Sequence, residues 1–382
     1  MAFLPFYLPR SNPLNVVIIG GGYAGMAALV SLHRFAPTAQ VTIVDPGLEH
    51  LKVTHLHETF RRPLAPLRIP FETLARRFGC RHIQADVEPS ECNLLEWWGN
   101  RGLVLGDEYL GFDALLVTCG ISSPRREPPP DVFDLGSFAA NEGSAIAEAV
   151  ASKGPGWLTV VGGGATGVQF LFELANYVRQ RHLPLKLRLV DGEDAVLKQF
   201  AAPLGQYVQA RMADMGIEYL PETFFQSQEG GAVTLQKVAS SELFSLPSTA
   251  SFLFLGKTPP HRLTTNIFGQ VTIGNATLEG VFAAGDCARY RGPGSNTYTA
   301  QAAVRKGKLA ARNILRATGR LRILEPYLHR DMGYVISLGP DDAVGWLALE
   351  RNIVAGYPAL VVKELVEAQY DLLMAGIDTY IL

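Results

Sequence analysis

Two glycine-rich turns carry residues whose type and spacing can do chemistry. Gly20, Gly22 and Gly25 follow the apolar run NVVIIG and precede the apolar-periodic stretch MAALVSLHRFAP, and Asp45 closes the next run, QVTIVD. In this spacing the first glycine permits a tight turn, the second lets backbone approach a pyrophosphate, and the third lets helix and strand pack closely. The N–H groups at the start of the helix then face the phosphate charge, and Asp45 is placed to hold ribose hydroxyls. Gly162, Gly164 and Gly167 repeat the pattern after WLTVVG, with Asp191 closing LKLRLVD. Two such turns in one chain imply two dinucleotides. A carboxylate at Asp191 accepts hydrogen bonds from a free 2′-hydroxyl and repels a 2′-phosphate, and no arginine directly follows it, which favours NADH over NADPH. Arg188, at alternating register in the same strand, reads as a solvated strand residue.

The elements that must position these turns are two βαβ units, Asn15 to Asp45 and Trp157 to Asp191. Between them lie the strand GFDALLVTCG, residues 111–120, and the turn-rich PRREPPPD, whose prolines cannot continue a helix or a central strand. A domain crossover is expected there. Beyond the second unit come the apolar runs VTLQKV and ASFLFLG, then the strand VFAAGD leading into a basic amphipathic helix, TYTAQAAVRKGKLAARNIL. The last stretch reads as short strands, GYVISLGPDDAVGW, and a terminal helix with Val361, Leu365, Ala368 and Leu372 along one stripe. The expected fold class is α/β, with two Rossmann-like dinucleotide-binding domains and a small C-terminal α+β segment.

Composition bounds the partners. The chain has 382 residues, with 34 basic against 36 acidic side chains and a formal net charge of −2, so a nucleic-acid polyanion is not indicated. Cys80, Cys92, Cys119 and Cys287 form no CxxC or CxxxxC pair and no zinc spacing, which fits a reducing, cytoplasmic compartment and no metal. The apolar, proline-rich stretch Met1 to Pro13 lacks the layout of a signal peptide. No apolar run approaches the roughly 18 to 20 residues of a spanning helix.

Taken together these motifs resemble the FAD- and NAD-dependent pyridine nucleotide oxidoreductases, in which an NAD domain is inserted into a split FAD domain. The resemblance covers nearly the whole chain. VFAAGDCARY looks like the family's second FAD motif, with Asp286 meeting the ribityl or phosphate region and Gly285 allowing close approach, and LLVTCG, ending at Gly120, looks like the strand that leaves for the NAD domain. The resemblance implies an FAD-binding domain over 1–125 and 261–322, an NAD(H)-binding domain over 126–260, and a C-terminal domain over 323–382 on the dimer, membrane or quinone side. It implies further cofactor contacts at Tyr23, Ala24, Val87, Ala165, Thr166, Gly256, Gln301 and Ala302. Without a redox cysteine couple, Cys119 and Cys287 read as small buried side chains.

Within the family, GGGATGVQFLFELA and TAQAAVRKGKLAARNI resemble the type II NADH dehydrogenases and NAD(P)H:quinone reductases, as does ISLGPDDAVGW. This branch implies hydride transfer from NADH to FAD and reduction of a menaquinone-, phylloquinone- or ubiquinone-type acceptor. The chain departs from the branch twice. Gln169 stands where a glutamate is usual, and an amide orients but does not readily exchange a proton. Gln301 is followed by Arg305 where a second glutamine is usual. Arg305 is a candidate to stabilise a reduced flavin or a quinone oxygen, with a solvated charge beside Lys306 and Lys308 as the alternative reading. In HLKVTHLHETFRRP, Lys52, His55 and His57 are candidates near the flavin, each histidine alone more readily read as a surface or satisfied one. The terminal helix carries Glu364, Glu367 and Asp371 against Lys363, so anionic lipid would not attract it, and peripheral contact with the cytoplasmic face of a membrane, core packing and a homodimer stay open. A soluble ferredoxin- or rubredoxin-type reductase and an NADH-sensing flavoprotein remain as alternatives.

Overall fold

The computed structural model describes residues 13–120, 128–256, 259, 261–319 and 323–380. Residues 1–12 and the first half of PRREPPPD lie outside the described residues.

Two sheets with parallel cores organise the chain. The larger has eight strands in the order Ala288–Tyr290, Leu263–Thr265, Gln270–Ile273, Ala276–Ala283, Ala114–Val117, Asn15–Ile19, Gln40–Asp45, Arg81–Gln84. The smaller has five, in the order Glu218–Leu220, Leu185–Val190, Gly156–Val161, Ala250–Leu253, Val132–Asp134. All five strands of the smaller sheet fall in sequence between Ala114–Val117 and Leu263–Thr265 of the larger, so the chain leaves one sheet, builds another and returns. The central strands are near-continuous Val, Ile and Leu because helices cover both faces.

Each βαβ unit places its glycine turn at the carboxyl end of its first strand. Helix Tyr23–Phe35 is buried on nearly every side, its small residues letting helix Ala300–Thr318 lie against it. A Cβ at Gly307 would collide with the carbonyl of Ala24. The helix stops at Ala36, the residue before Pro37, where the proline ring disfavours helical geometry. Helix Ala165–Gln180 buries Val168, Phe170, Leu171, Phe172 and Leu174. Phe170 stacks on Phe254 at 4.3 Å and tilts against Phe138 at 4.7 Å, and Phe60 from the 3₁₀ segment Val53–Phe60 joins them. This phenylalanine cluster joins the two sheets' layers.

One expectation needs correction, and two others are made specific. Arg188 is not solvated. Its strand lies inside the smaller sheet, and the guanidinium is buried against the Trp157 ring, 4.5 Å from its centroid, donating to Glu218 at 2.6 Å. Lys306 and Lys308 are also buried, so helix Ala300–Thr318 has no wholly solvated basic face. In the C-terminal part, a three-stranded antiparallel sheet, Gly333–Ser337, Ala343–Leu347 and Leu349–Ala355, precedes helix Tyr357–Met374. That helix buries Ala359, Leu360, Lys363, Tyr370, Leu373 and Met374, while Val361, Leu365, Ala368 and Leu372 point outward. The stripe is real, but the opposite face is the one that packs, because Lys363 and Tyr370 find buried polar partners.

Candidate functional site

The two glycine turns have one geometry. Gly20 and Gly162 take φ of +102° and +106°, where a side chain is strained. A Cβ at Gly20 would stand 2.8 Å from the Thr118 oxygen, and one at Gly162 2.5 Å from the Phe254 oxygen. Cβ atoms at Gly25 and Gly167 would collide with the carbonyl oxygens of Gly20 and Gly162 respectively. The middle glycines differ in kind. Gly22 has nothing within 4 Å of its Cβ position, and Gly164 has only the Gln199 amide at 4.0 Å. Both are N-caps without a side-chain cap, and neither helix has an acid in its first turn. Each turn therefore presents open space in front of uncapped N–H groups, the environment an anionic phosphate fits.

The carboxylates beyond the turns are held unequally. Asp45 accepts from the N–H of Gly21 and of Gly47, both at 2.7 Å. Asp191 accepts a long bond from Glu193 N at 3.5 Å, and burial pushes its carboxyl up. A second acid closes on the first turn: Gly285, at φ +79°, brings its Cβ position to 3.1 Å from the Ala24 Cβ, and the neighbouring Asp286 makes no hydrogen bond to any described residue. Burial raises the Asp286 carboxyl against the opposing charge of Lys306. A partly buried carboxylate without a hydrogen-bond donor among the described residues keeps its acceptor capacity for a dinucleotide's hydroxyls, so the residues present fit FAD. Val87 is half-buried beside this sheet, Gly120 and Gly256 are exposed at strand ends, and Ala302 N is capped by the Thr299 hydroxyl at 3.1 Å.

Cys119 and Cys287 sit in the same region as thiols. Burial lifts Cys119 to about 12 and Cys287 far above its usual value, and all four cysteines are free. A protonated thiol is a poor nucleophile.

A polar junction lies under the 3₁₀ segment Val53–Phe60. The Gln169 amide donates to Ser337 Oγ at 3.2 Å and meets His57 Nε2 at 3.5 Å, and Ser337 Oγ lies 3.1 Å from the same nitrogen. Burial, reinforced by the charge of Lys363, holds His57 well below its usual value, so it is neutral. Glu58 is buried beside it. Burial alone would raise this carboxyl, but hydrogen bonding from His55 and the charges of Lys363 and Arg61 outweigh that and hold it well below the carboxylate range. One turn beyond Gln169, Glu173 accepts from Arg61 at 3.0 Å. His55, Glu58 and Glu367 could between them offer three metal ligands, but Glu58 is already paired with Lys363, Arg61 and Arg62.

Of the four candidate catalytic residues, Gln169 is brought into this junction, while Lys52 is committed elsewhere, paired with Asp371 on the C-terminal helix. Gln301 and Arg305 are half-buried at the start of helix Ala300–Thr318. Sequence reasoning missed Ser337, Glu58, Lys363, Tyr370 and His50. His50 bridges the Gly21 carbonyl, at 2.9 Å, and the Tyr370 hydroxyl, at 2.8 Å, and so connects the first glycine turn to the C-terminal helix. Because a carbonyl only accepts, Nδ1 carries the proton and Tyr370 donates to Nε2. No short-range signal marks such pairs. Glu173 was the one within reach, lying four residues after Gln169 on the same helical stripe.

Comparison with known proteins agrees with this geometry. The pattern of the pyridine nucleotide-disulphide oxidoreductase family matches residues 14–307. A type II NADH:quinone oxidoreductase of Staphylococcus aureus strain MSSA476 is 25% identical over 399 aligned residues, which span 95% of this chain and 96% of that protein. The structure of NDH2 from Plasmodium falciparum in complex with NADH is similar with a TM-score of 0.73 at 12% identity, covering 94% of each chain. The sulfide:quinone oxidoreductase of Aquifex aeolicus is similar with a TM-score of 0.77 at 13% identity, covering 95% of this chain and 92% of that one. At such identities the structural likeness speaks for the fold.

Proposed function

The chain belongs to the pyridine nucleotide-disulphide oxidoreductase family and is an oxidoreductase, and on that premise we propose that it takes hydride from NADH by means of bound FAD and reduces a quinone without a redox disulfide. The observation that carries this reading is the doubled glycine turn, open at Gly22 and at Gly164 and sealed at the flanking glycines. The relatives named type II NADH:quinone oxidoreductase support a quinone as the acceptor. FAD, when bound, supplies the two-electron chemistry, taking a hydride from a nicotinamide and returning electrons to an acceptor.

The chain's own residues do the rest. Gly20, Gly22, Tyr23, Ala24 and Gly25 offer backbone N–H groups and space to the FAD pyrophosphate, Asp45 and Asp286 accept from its hydroxyls, and Val87, Gly120, Gly285, Gln301 and Ala302 complete that half. Gly162, Gly164, Ala165, Thr166 and Gly167, with Asp191 and Gly256, do the same for NADH. Asp191, half-buried and already raised, leaves no room for a 2′-phosphate charge beside it. Gln169 orients groups near the nicotinamide side and holds no exchangeable acid proton. On this reading FAD is held by residues 1–125 and 261–322, NADH by 126–260, and residues 323–382 face the acceptor.

A menaquinone-, phylloquinone- or ubiquinone-type acceptor resides in a bilayer, and the outward stripe of Val361, Leu365, Ala368 and Leu372 offers a surface to rest on the cytoplasmic face of one, with a second copy of the chain as the competing occupant. No helix among the described residues is long and apolar enough to cross a membrane. Exposed Glu364 and Asp371 border the stripe, so neutral lipid is favoured over anionic lipid. The test is anaerobic stopped-flow of the FAD absorbance with NADH, then mixing with menaquinone and ubiquinone analogues. Fast bleaching and fast quinone-dependent recovery are expected. Bleaching without recovery would remove the quinone, and no bleaching would remove the NADH assignment.

A further inference from the structure

Helix Ala300–Thr318 carries a series of basic side chains, and four of them have oxygen partners. Lys306 Nζ donates to the Ala288 carbonyl at 2.8 Å and to Asn296 at 3.2 Å. Lys308 Nζ donates to Asp378 at 2.7 Å and to the Tyr380 carbonyl at 3.2 Å. Arg312 forks onto Glu325 at 2.9 and 2.7 Å, and Arg316 donates to the same carboxylate at 2.6 Å. Arg305 differs. Its Nε is out of solvent and donates to nothing, and it has no ion pair with any described residue. The Tyr380 ring lies 5.9 Å from its guanidinium carbon.

The atoms around it are in the same condition. Tyr327 Oη and His329 Nε2, from the segment returning beside the helix, are also buried without partners, and so is Thr379 Oγ1 next to Tyr380. Tyr327 and His329 lie side by side, with ring centroids 6.3 Å apart. Asp331, the acid of this segment, is occupied by the hydroxyls of Ser295 at 2.6 Å and Thr297 at 2.8 Å, and lies 3.8 Å from His329. Burial, with Arg305 nearby, pushes His329 down to about 4, so at neutral pH it acts as an uncharged imidazole. A buried donor without an acceptor is costly, and Arg305 Nε is one, with Tyr327 and His329, each holding an unpartnered polar atom, close enough to feel its charge. A ligand here must bring acceptor oxygen and negative charge, because the guanidinium only donates.

We propose that Arg305, with Tyr327 Oη and His329 Nε2, forms a receiving site for an oxygen that carries negative charge during turnover. The inference rests on the FAD and quinone reading above and deepens it. The oxygen has two possible sources, the flavin ring itself or the acceptor. If the acceptor supplies it, Arg305 makes the enzyme prefer quinones with an anionic substituent over neutral ones. Exposed Leu328 and Met332 on the same segment would then lie against the apolar ring.

Arg305→Gln and Tyr327→Phe are compared with the wild type as purified holoenzymes. Flavin content and bleaching by NADH are measured first, and wild-type protein that holds no FAD overturns the underlying reading as a whole. Two further readouts separate the sources. One is the dissociation constant of sulfite for the oxidised flavin, which reports positive charge near the ring without turnover. The other is the ratio of kcat/KM for 1,4-naphthoquinone-2-sulfonate to that for 2-methyl-1,4-naphthoquinone. If the flavin is the source, Arg305→Gln raises the sulfite constant about tenfold or more and leaves the ratio alone. If the acceptor is the source, the ratio falls about tenfold or more and sulfite binding is unchanged. Tyr327→Phe moves the same readout less, and it carries the test should Arg305→Gln lose its FAD. Sulfite binding and acceptor ratio both within twofold of wild type, in a variant with full flavin content, overturn the proposal.

Discussion

Alanine at the middle and last glycines of each turn should separate cofactor binding from folding. Gly22 has φ −75°, open to any residue, and its Cβ position meets nothing within 4 Å. Replacing glycine by alanine at an N-cap costs up to about 1 kcal/mol of helix stability, and the stiffer unfolded chain returns about 0.4–1 kcal/mol. Gly22→Ala should therefore leave the melting temperature within about 2 °C of wild type. The methyl group takes up open space in front of the turn, where the proposed phosphate would meet the N–H groups of the helix start. Losing one charge-assisted hydrogen bond costs about 1.5–3 kcal/mol, so FAD affinity should fall about 10- to 150-fold. Gly25→Ala is the opposite case. Its Cβ collides with the Gly20 carbonyl and stands 2.9 Å from Thr118 Oγ1, so the helix must move off the strand. Overpacking of this kind costs about 1–3 kcal/mol and lowers the melting temperature of the apoprotein itself. The assay is FAD titration by fluorescence quenching beside thermal melts of apoprotein, repeated for Gly164→Ala and Gly167→Ala with NADH. A Gly22→Ala protein that binds FAD as tightly as wild type would mean that no phosphate lies on this turn.

Other outcomes follow from the same geometry. Asp191→Asn removes the charge that opposes a 2′-phosphate and should shift the NADPH-to-NADH ratio of kcat/KM about tenfold or more toward NADPH, measured in the reductive half-reaction; an unchanged ratio would place selectivity elsewhere. Gln169→Glu puts a carboxyl within reach of Ser337 and His57, raising the His57 value toward its ordinary range and adding a limb to the pH profile of quinone reduction, whereas superimposable profiles would separate this junction from proton traffic. His50 is held down to about 4 and His57 well below its usual value, both by burial, while in the unfolded chain each titrates near 6.5. The unfolded state thus binds protons that the folded state does not. Stability from these groups is intact above pH 6.5, and on going from pH 7 to pH 5.5 it falls by about 1 kcal/mol per histidine. Urea midpoints at the two pH values check this, and equal midpoints would show that neither imidazole stays neutral in the fold.

What was legible in the sequence was whatever is encoded within about 30 residues. Both βαβ units are of this kind, because strand, glycine turn, helix and closing acid are consecutive and their geometry is dictated locally. Arg188 shows where such reasoning stops. Alternation along one strand separates two faces but does not reveal that both are covered, and coverage depends on Glu218, Pro247 and Trp157, brought in by the order of the sheet. The burial of Lys306 and Lys308, on a helix legible only as basic and amphipathic, was hidden for the same reason. Their acceptors are the Ala288 and Tyr380 carbonyls and the Asn296 and Asp378 side chains, which no spacing along the helix announces.

The C-terminal helix makes the general point most sharply. Its apolar stripe satisfies helical periodicity as well as any core-facing helix, yet Leu365 is 64% exposed and Lys363 is 5% exposed. Transfer of a leucine out of water is worth only about 2 kcal/mol, whereas leaving Glu58 buried among cations after removing one partner costs about 3–5 kcal/mol. The face that packs buries Ala359, Leu360, Leu373 and Met374, an apolar set comparable to the stripe, and it also seats Lys363 on Glu58 and Tyr370 on His50, so the polar partners tip the choice. The orientation of the helix is chosen by groups from residues 50–58, more than 300 positions earlier in the chain. The same choice leaves an apolar face turned outward and fastens the other to the carbonyl of Gly21, so that any surface which covers the stripe presses on the helix that braces the first glycine turn.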